Sequence, residues 1–386
     1  MAYILSAKRT PIGSFQGQFS KLSATQLGSE AIKAALNESQ LSADDIKYVF
    51  MGNVLNAGLG QAPAKQAAIG ASLNKRTPCT LINKVCGSGM ESIIIGGNSL
   101  SDDVPFIVAG GMESMTNAPY LLPNARAGER FGHGKIVDHM LYDGLEDPYH
   151  DNAVMGLFAD KTASKFGFSR EEQDEFVVET ISRAKNAESS GLFDKENVKI
   201  FDKNNVELRD EPISKARPEK ISKLKPAFSK DGTVTAATSS SIADGAAAVI
   251  LAHEGMVESS NMKPIARIIG TSNYSQEPQW FTIAPIGAIR DLMEKVNWSV
   301  NDVDAFEINE AFACVAMASM KEIKIPRDKL NMHGGACAMG HPLGASGARI
   351  VVTLINVLKS KGLKRGIAST CIGGGEATAI AIEICN

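Results

Sequence analysis

Thr80-Leu81-Ile82-Asn83-Lys84-Val85-Cys86-Gly87-Ser88-Gly89-Met90 decides the fold class. A short apolar run meets a Gly-x-Gly turn and passes into helix-compatible sequence from Met90 onward, which reads as a strand feeding a helix. The same alternation recurs along the chain. Phe106-Ile107-Val108-Ala109 before Gly110-Gly111 predicts a buried strand ending in a tight turn, and Ala246 to Ala252 a second buried strand. Gly366 to Ile372 and Thr378 to Ile384 predict two more, parted by Gly373-Gly374-Gly375. Ser23-Ala24-Thr25-Gln26 and Ser169-Arg170-Glu171-Glu172 have the spacing of capping boxes that open helices. Phe176, Val177, Ile181 and Ala184 form the apolar stripe of the second helix, which Gly191 stops. The pattern is mixed α/β with mostly buried strands.

The chain has 386 residues, more than one core usually spans. Hydrophobic residues at 44% and charged residues at 22% exclude disorder or coiled coil as the main state. A net charge of −3 gives no bulk electrostatic case for nucleic acid. Met1 to Thr10 lacks a signal-peptide core, and no run approaches the ~18 apolar residues of a membrane span, so no membrane partner is expected. Glu383-Ile384-Cys385-Asn386 is no peroxisomal address, and a cytoplasmic location is the default. Cys79, Cys86, Cys314, Cys337, Cys371 and Cys385 form no C-x-x-C pair, so no metal site is expected and each thiol is either core or chemistry. From about Thr116 to Ser241 the chain is more polar and less regular, an insertion over one face of the α/β core. There is also a faint internal echo. Asn53 precedes Cys86 by nearly the interval at which Asn309 precedes His341, and Gly110-Gly111-Met112-Glu113 resembles Gly373-Gly374-Gly375-Glu376. Two similar halves would set two strand-to-helix turns at one seam, where α/β sheets bind ligands.

Four stretches carry candidate chemistry. Cys86 at a helix N-terminus is placed to ionise, with glycines leaving room for a substrate; it reads equally as a small buried thiol. His341, in the glycine-rich run His333 to Arg349, could take a proton from a thiol, or be structural. Cys371 precedes three glycines whose N–H groups can form an anion hole, or is a core thiol beside a hairpin. Asn309, after the strand Asp304 to Ile308, could polarise a carbonyl or cap the next helix.

In this order the four stretches, Cys86-Gly-Ser-Gly, Asn309-Glu-Ala-Phe, Gly340-His-Pro with Gly344-Ala-Ser-Gly-Ala-Arg, and Cys371-Ile-Gly-Gly-Gly, resemble the thiolase family. Ser6 to Gly13, Ala109 to Met115, Glu171 to Asp174, Lys225 to Phe228 and Asp244 to Ala248 extend the likeness over essentially the whole chain. The resemblance implies a thiolase fold: two similar βαβαβαββ halves in five layers (α/β/α/β/α) with an inserted loop domain. Residues 1–115 plus 242–264 would form the N-terminal half, 116–241 the insertion on the coenzyme A side, and 265–386 the C-terminal half.

It further implies that Cys86 accepts an acyl group, His341 activates it, and Cys371 moves a proton at the α-carbon of a second acetyl-CoA. Asn309 and His341 would bind one thioester oxygen, the N–H groups of Cys86 and Gly373 another. Met155, Phe228, Ser240, Ala311 and Phe312 would line the pantetheine or acyl channel, with Lys215 and Arg217 in a basic segment toward coenzyme A phosphates. Val154, Thr238 and His333 depart from residues that short-chain relatives often have. The activity implied is an acetyl-CoA C-acetyltransferase, two acetyl-CoA giving acetoacetyl-CoA and coenzyme A by a ping-pong route, with no cofactor beyond these thioesters. A degradative 3-ketoacyl-CoA thiolase, a ketoacyl synthase and a silent acyl-CoA binding module are the rivals; the second cysteine, Cys371, argues against the synthase. A dimer or tetramer is implied, with Glu129 to His150 as a contact segment.

Overall fold

The computed structural model describes residues 2–260 and 262–385. Its strands divide their side chains between two cores. In Ala243–His253, Ala247, Val249 and Leu251 enter one apolar cluster, while Ala246, Ala248, Ile250 and Ala252 enter another. This period-two split requires helices on both faces of the sheet, so nearly every position is small or apolar.

The strands of the main sheet are β1 (Ala2–Arg9), β2 (Tyr48–Gly52), β3 (Cys79–Ile82), β4 (Phe106–Ser114), β5 (Ala243–His253), β6 (Ala266–Ser275), β7 (Ala305–Ile308), β8 (Arg365–Ile372) and β9 (Glu376–Ile384). In the N-terminal half they lie in the order β3-β2-β4-β5-β1. The C-terminal half follows β7-β8-β9-β6, and Leu330 bridges Phe306 of β7 where β3 flanks β2 in the first half. The two halves thus repeat one strand order, and β1 pairs with β6 over Ala2 to Ile4 to join them.

The longer helices are α1 (Ala24–Ser39), α2 (Pro63–Gly70), α3 (Ser88–Asn98), α4 (Met155–Phe166), α5 (Arg170–Ser189), α6 (Ala284–Val296), α7 (Ala313–Ile323) and α8 (Leu343–Ser360). Leu27 and Ile32 of α1 and Ala67 of α2 share a core with the outer face of the N-terminal strands. Ile289 of α6 and Val315 of α7 do the same for the C-terminal strands. Ile93 of α3 and Leu354 of α8 share a third core with Val249 of β5 and Ile380 of β9, between the two halves. The result is five layers. Both predicted capping boxes are present, at Ser23 and Ser169. Helix α8 is long and apolar enough to cross a membrane, against the sequence reading that no run comes close, but 89% of it is buried inside the chain as a central layer.

The central helices approach so closely that glycine is required. A Cβ on Gly89 would lie 2.8 Å from the backbone nitrogen of Ala348, and one on Gly347 2.5 Å from that of Met90. Gly110-Gly111 does not end a strand, as the sequence suggested; β4 continues to Ser114, and a Cβ on Gly111 would lie 2.0 Å from the Gly344 carbonyl oxygen.

Residues 116–241 leave the sheet at the end of β4 and return as β5 beside it. Phe158 of α4 and Val177 of α5 join the core under α6 and α7, so the segment is packed and largely regular there. Arg9 of β1 ties it to the N-terminal half, donating to both carboxylate oxygens of Asp210 at 2.8 and 2.9 Å and also pairing with Glu196, all buried.

Candidate active site

Cys86 sits in a turn held by its neighbours. The Ser88 hydroxyl accepts from the Lys84 N–H at 2.8 Å and donates to the Val85 carbonyl at 2.6 Å. Val85 is held at φ 46°, the left-handed region that a β-branched residue adopts only at a cost, and the sulfur is delivered just ahead of α3. The backbone N–H groups of Gly373 and of Cys86 itself favour the thiolate. Burial nonetheless pushes the thiol up to about 12, so it rests protonated and needs a base. The neighbouring glycines are not room for substrate, as the sequence suggested: a Cβ on Gly87 would lie 2.3 Å from Ile372, and Gly89 packs on α8.

His341 precedes α8 by two residues, and its backbone N–H is anchored on the Ser241 carbonyl at 2.9 Å. Its Nδ1 lies 2.5 Å from the Ser346 hydroxyl, which donates its single hydrogen to the Pro342 carbonyl at 2.9 Å. Ser346 therefore accepts from Nδ1–H, and the Nε2 lone pair is left to act as a base. Burial, with Arg349 behind it, lowers the imidazole to about 3, so it is neutral at rest. The amide nitrogen of Asn309 lies 3.4 Å from Nε2. Asn309 is fully buried, and its Oδ1 has no partner within the chain. Helix α7 is capped at Phe312, so Asn309 is not its cap.

Cys371 is fully buried near the end of β8, and burial above all, with any charge that forms on Cys86 or Cys314, holds its thiol well above the ordinary range. Cys86, His341 and Gly373 line one cavity of about 260 Å³, whose wall is completed by Met155, Phe228, Ser240, Ala311 and Phe312 among others. The Ser240 hydroxyl donates to the Ala311 carbonyl at 3.0 Å, and Phe228 packs edge-on against Phe312. Asn309 and Cys371, both fully buried, do not line it. Leu141, Leu145 and Leu343 also line the cavity, and sequence reasoning did not single them out. The helical spacing of Leu141 and Leu145 was a usable signal; Ser346, hidden among small packing residues, gave none.

Lys215 and Arg217 lie outside this cavity. With Lys220 they line an adjoining groove of about 690 Å³ that shares Ser241 and Ile242 with it. Lys215 is paired with Glu211 at 2.6 Å, and Arg217 donates to the Ser214 and Ala216 carbonyls. Among the described residues, no group of three or more His, Cys, Asp or Glu side chains is arranged to hold a metal ion.

Residues 2–255 match the family model described as thiolase, N-terminal domain, and 262–384 that of thiolase, C-terminal domain. The chain belongs to the thiolase family. It is 44% identical over 390 residues to the acetyl-CoA acetyltransferase of Candida albicans, with 99% of this chain and 97% of that protein covered. It is 43% identical over 394 residues to the Gibberella zeae protein named acetyl-CoA acetyltransferase ERG10, cytosolic, with 99% and 98% covered. The crystal structure of Acat5 thiolase from Ascaris suum in complex with coenzyme A superposes with a TM-score of 0.95 at 42% identity, covering 100% of both chains. The five-layer, two-half arrangement described above is therefore the thiolase fold that the sequence resemblance implied.

Proposed function

We propose that this thiolase is an acetyl-CoA C-acetyltransferase that condenses two acetyl-CoA to acetoacetyl-CoA and coenzyme A, and runs the reverse thiolysis. The observation that carries this reading is the meeting of Cys86 from the N-terminal half with His341 and Gly373 from the C-terminal half in the lining of one cavity. Cys86 Sγ attacks the thioester carbonyl as His341 Nε2 takes its proton. The N–H groups of Cys86 and Gly373 hold the oxyanion, and coenzyme A leaves with the proton. Cys371 then passes its thiol proton to His341 and takes an α-proton from a second acetyl-CoA, whose enolate oxygen is held by His341 and Asn309. The enolate carbon attacks acetyl-Cys86, the C–S bond breaks, and the Cys86 thiolate takes the proton back from His341. Both cysteines are protonated at rest, so each is ionised only when a base or an acylated partner makes room for the charge.

A cavity of about 260 Å³ with Met155, Leu145 and Phe228 in its lining favours a short acyl group. Thiolysis measured over acyl lengths should peak at acetoacetyl-CoA and fall with length. Equal turnover of long 3-ketoacyl thioesters would instead support the degradative reading.

The basic groove suits the phosphates of coenzyme A, with residues 116–241 as the loop domain that carries it. Lys215→Ala with Arg217→Ala should raise KM for coenzyme A by roughly tenfold while kcat stays within twofold, because these side chains bind ground and transition states alike. A fall in kcat at unchanged KM would remove them from that role. We also propose a homo-oligomer, dimer or tetramer, with contact through Glu129 to His150. Phe131, Ile136, Tyr142 and Tyr149 there are exposed apolar side chains of the kind that a partner covers. Light scattering that gives a monomer would end this proposal. Cytosolic placement and the absence of a further cofactor complete the reading.

A further inference from the structure

The two halves carry matched residues at the ends of matched strands. Gly52 pairs with Gly111 across β2 and β4, and Ile308 pairs with Ser369 across β7 and β8. One residue beyond the first member of each pair stands an asparagine, Asn53 or Asn309. Two beyond the second stand Glu113 and Cys371. Cys86 and His341 likewise each precede a central helix by two residues. The counterpart of Cys371, the buried thiol of the C-terminal half, is therefore a buried carboxylate, Glu113, in the N-terminal half. The glycine echo in the sequence matched Glu113 with Glu376, which the structure corrects: Glu376 opens β9, beyond the turn that follows Cys371.

Glu113 is fully buried and takes four hydrogen bonds. Oε1 accepts from Asn53 Nδ2 at 2.7 Å and from the Leu55 N–H at 3.2 Å. Oε2 accepts from the Val54 N–H at 3.0 Å and from the Gly344 N–H at 2.8 Å. The Gly344 N–H belongs to the first turn of α8, where backbone donors lack helical partners. That turn also carries Ser346, which holds His341. A Cβ on Gly344 would lie 2.9 Å from the carboxylate, so the contact needs glycine there. In the N-terminal half the place that Cys371 takes in the C-terminal half is filled by a side chain held by three backbone N–H groups and one amide.

We propose that Glu113 is a positioning residue: its carboxylate fills the counterpart site of the N-terminal half and pins the first turn of α8 to residues 53–55, setting Ser346 and His341 against Cys86. The proposal rests on the assignment of His341 as the base for Cys86. It makes a prediction opposite in sign to a charge effect. The negative charge of Glu113 disfavours the Cys86 thiolate, so removing charge alone would speed reactions of that sulfur. Losing the clamp slows them.

The test is the rate at which iodoacetamide alkylates Cys86 in the full-length protein, compared for the parent, Glu113→Gln, Glu113→Asp and His341→Ala, with steady-state kinetics alongside. Glu113→Gln should slow alkylation by about fivefold or more and lower kcat by roughly tenfold, with KM for coenzyme A within twofold; Glu113→Asp should recover part of both. Alkylation of Glu113→Gln at the parent's rate or faster overturns the proposal, whatever happens to kcat. If His341→Ala slows alkylation and Glu113→Gln does not, only the positioning role fails. If His341→Ala leaves it unchanged, the base assignment has failed. Should Glu113→Gln not fold, Asn53→Ser, which removes one donor to the carboxylate, should slow alkylation by about threefold, and an unchanged rate again overturns the proposal.

Discussion

Cys86→Ala should lower kcat for both condensation and thiolysis by about ten-thousand-fold, while coenzyme A still binds with nearly the parent's affinity. Gly373 and His341 share the cavity with the sulfur, and His341 is fixed in the tautomer that can accept its proton. Without the sulfur these groups have nothing to act on, and the covalent route that divides the reaction into two easier steps is closed. Cys86→Ser should be nearly as poor, because a hydroxyl is a weaker acid than a thiol already raised to about 12. Steady-state kinetics with acetoacetyl-CoA and coenzyme A, together with calorimetric titration of coenzyme A, separate the two effects. A variant that keeps more than a hundredth of the parent's kcat would show that the sulfur does not carry the acyl group.

Cys371→Ala should separate the two half-reactions. In the proposed mechanism the buried Cys371 takes no part in the first acyl transfer. The variant should still accumulate acetyl-Cys86 when mixed with acetyl-CoA. Turnover should fall by about a thousandfold, within the usual range for loss of a general acid or base. Exchange of the α-hydrogens of acetyl-CoA with deuterated solvent should fall in parallel. Loss of acetylation as well would assign Cys371 to the fabric of the site rather than to proton transfer.

The parts of this molecule legible in its sequence are those set by local interactions. Ser23 and Ser169 cap their helices through residues three positions away, and both capping boxes form as read. The strand before Cys86 and the helix after it are visible because an apolar run, a turn and a helix follow one another directly. Gly110 and Gly111 were misread because what requires Gly111 is the backbone of Gly344, more than two hundred residues distant. Asn309 carried two readings that only the position of the next helix start could separate. The basic run around Lys215 and Arg217 announced a charged surface, but its groove depends on Ser241 and Ile242 closing beside it. Glu113 showed in the sequence only as part of a glycine echo, because its partners at residues 53–55 and Gly344 are distant in the chain, whereas Ser346 lies five residues from His341 and was hidden only by the small packing residues around it.

The most direct test of the central claim is mass spectrometry of the intact protein and its peptides after brief incubation with acetyl-CoA. A single acetyl group should appear on Cys86, be discharged as acetyl-CoA when excess coenzyme A is added, and be absent from Cys86→Ala. No adduct, or an adduct on another residue that persists in Cys86→Ala, would contradict it.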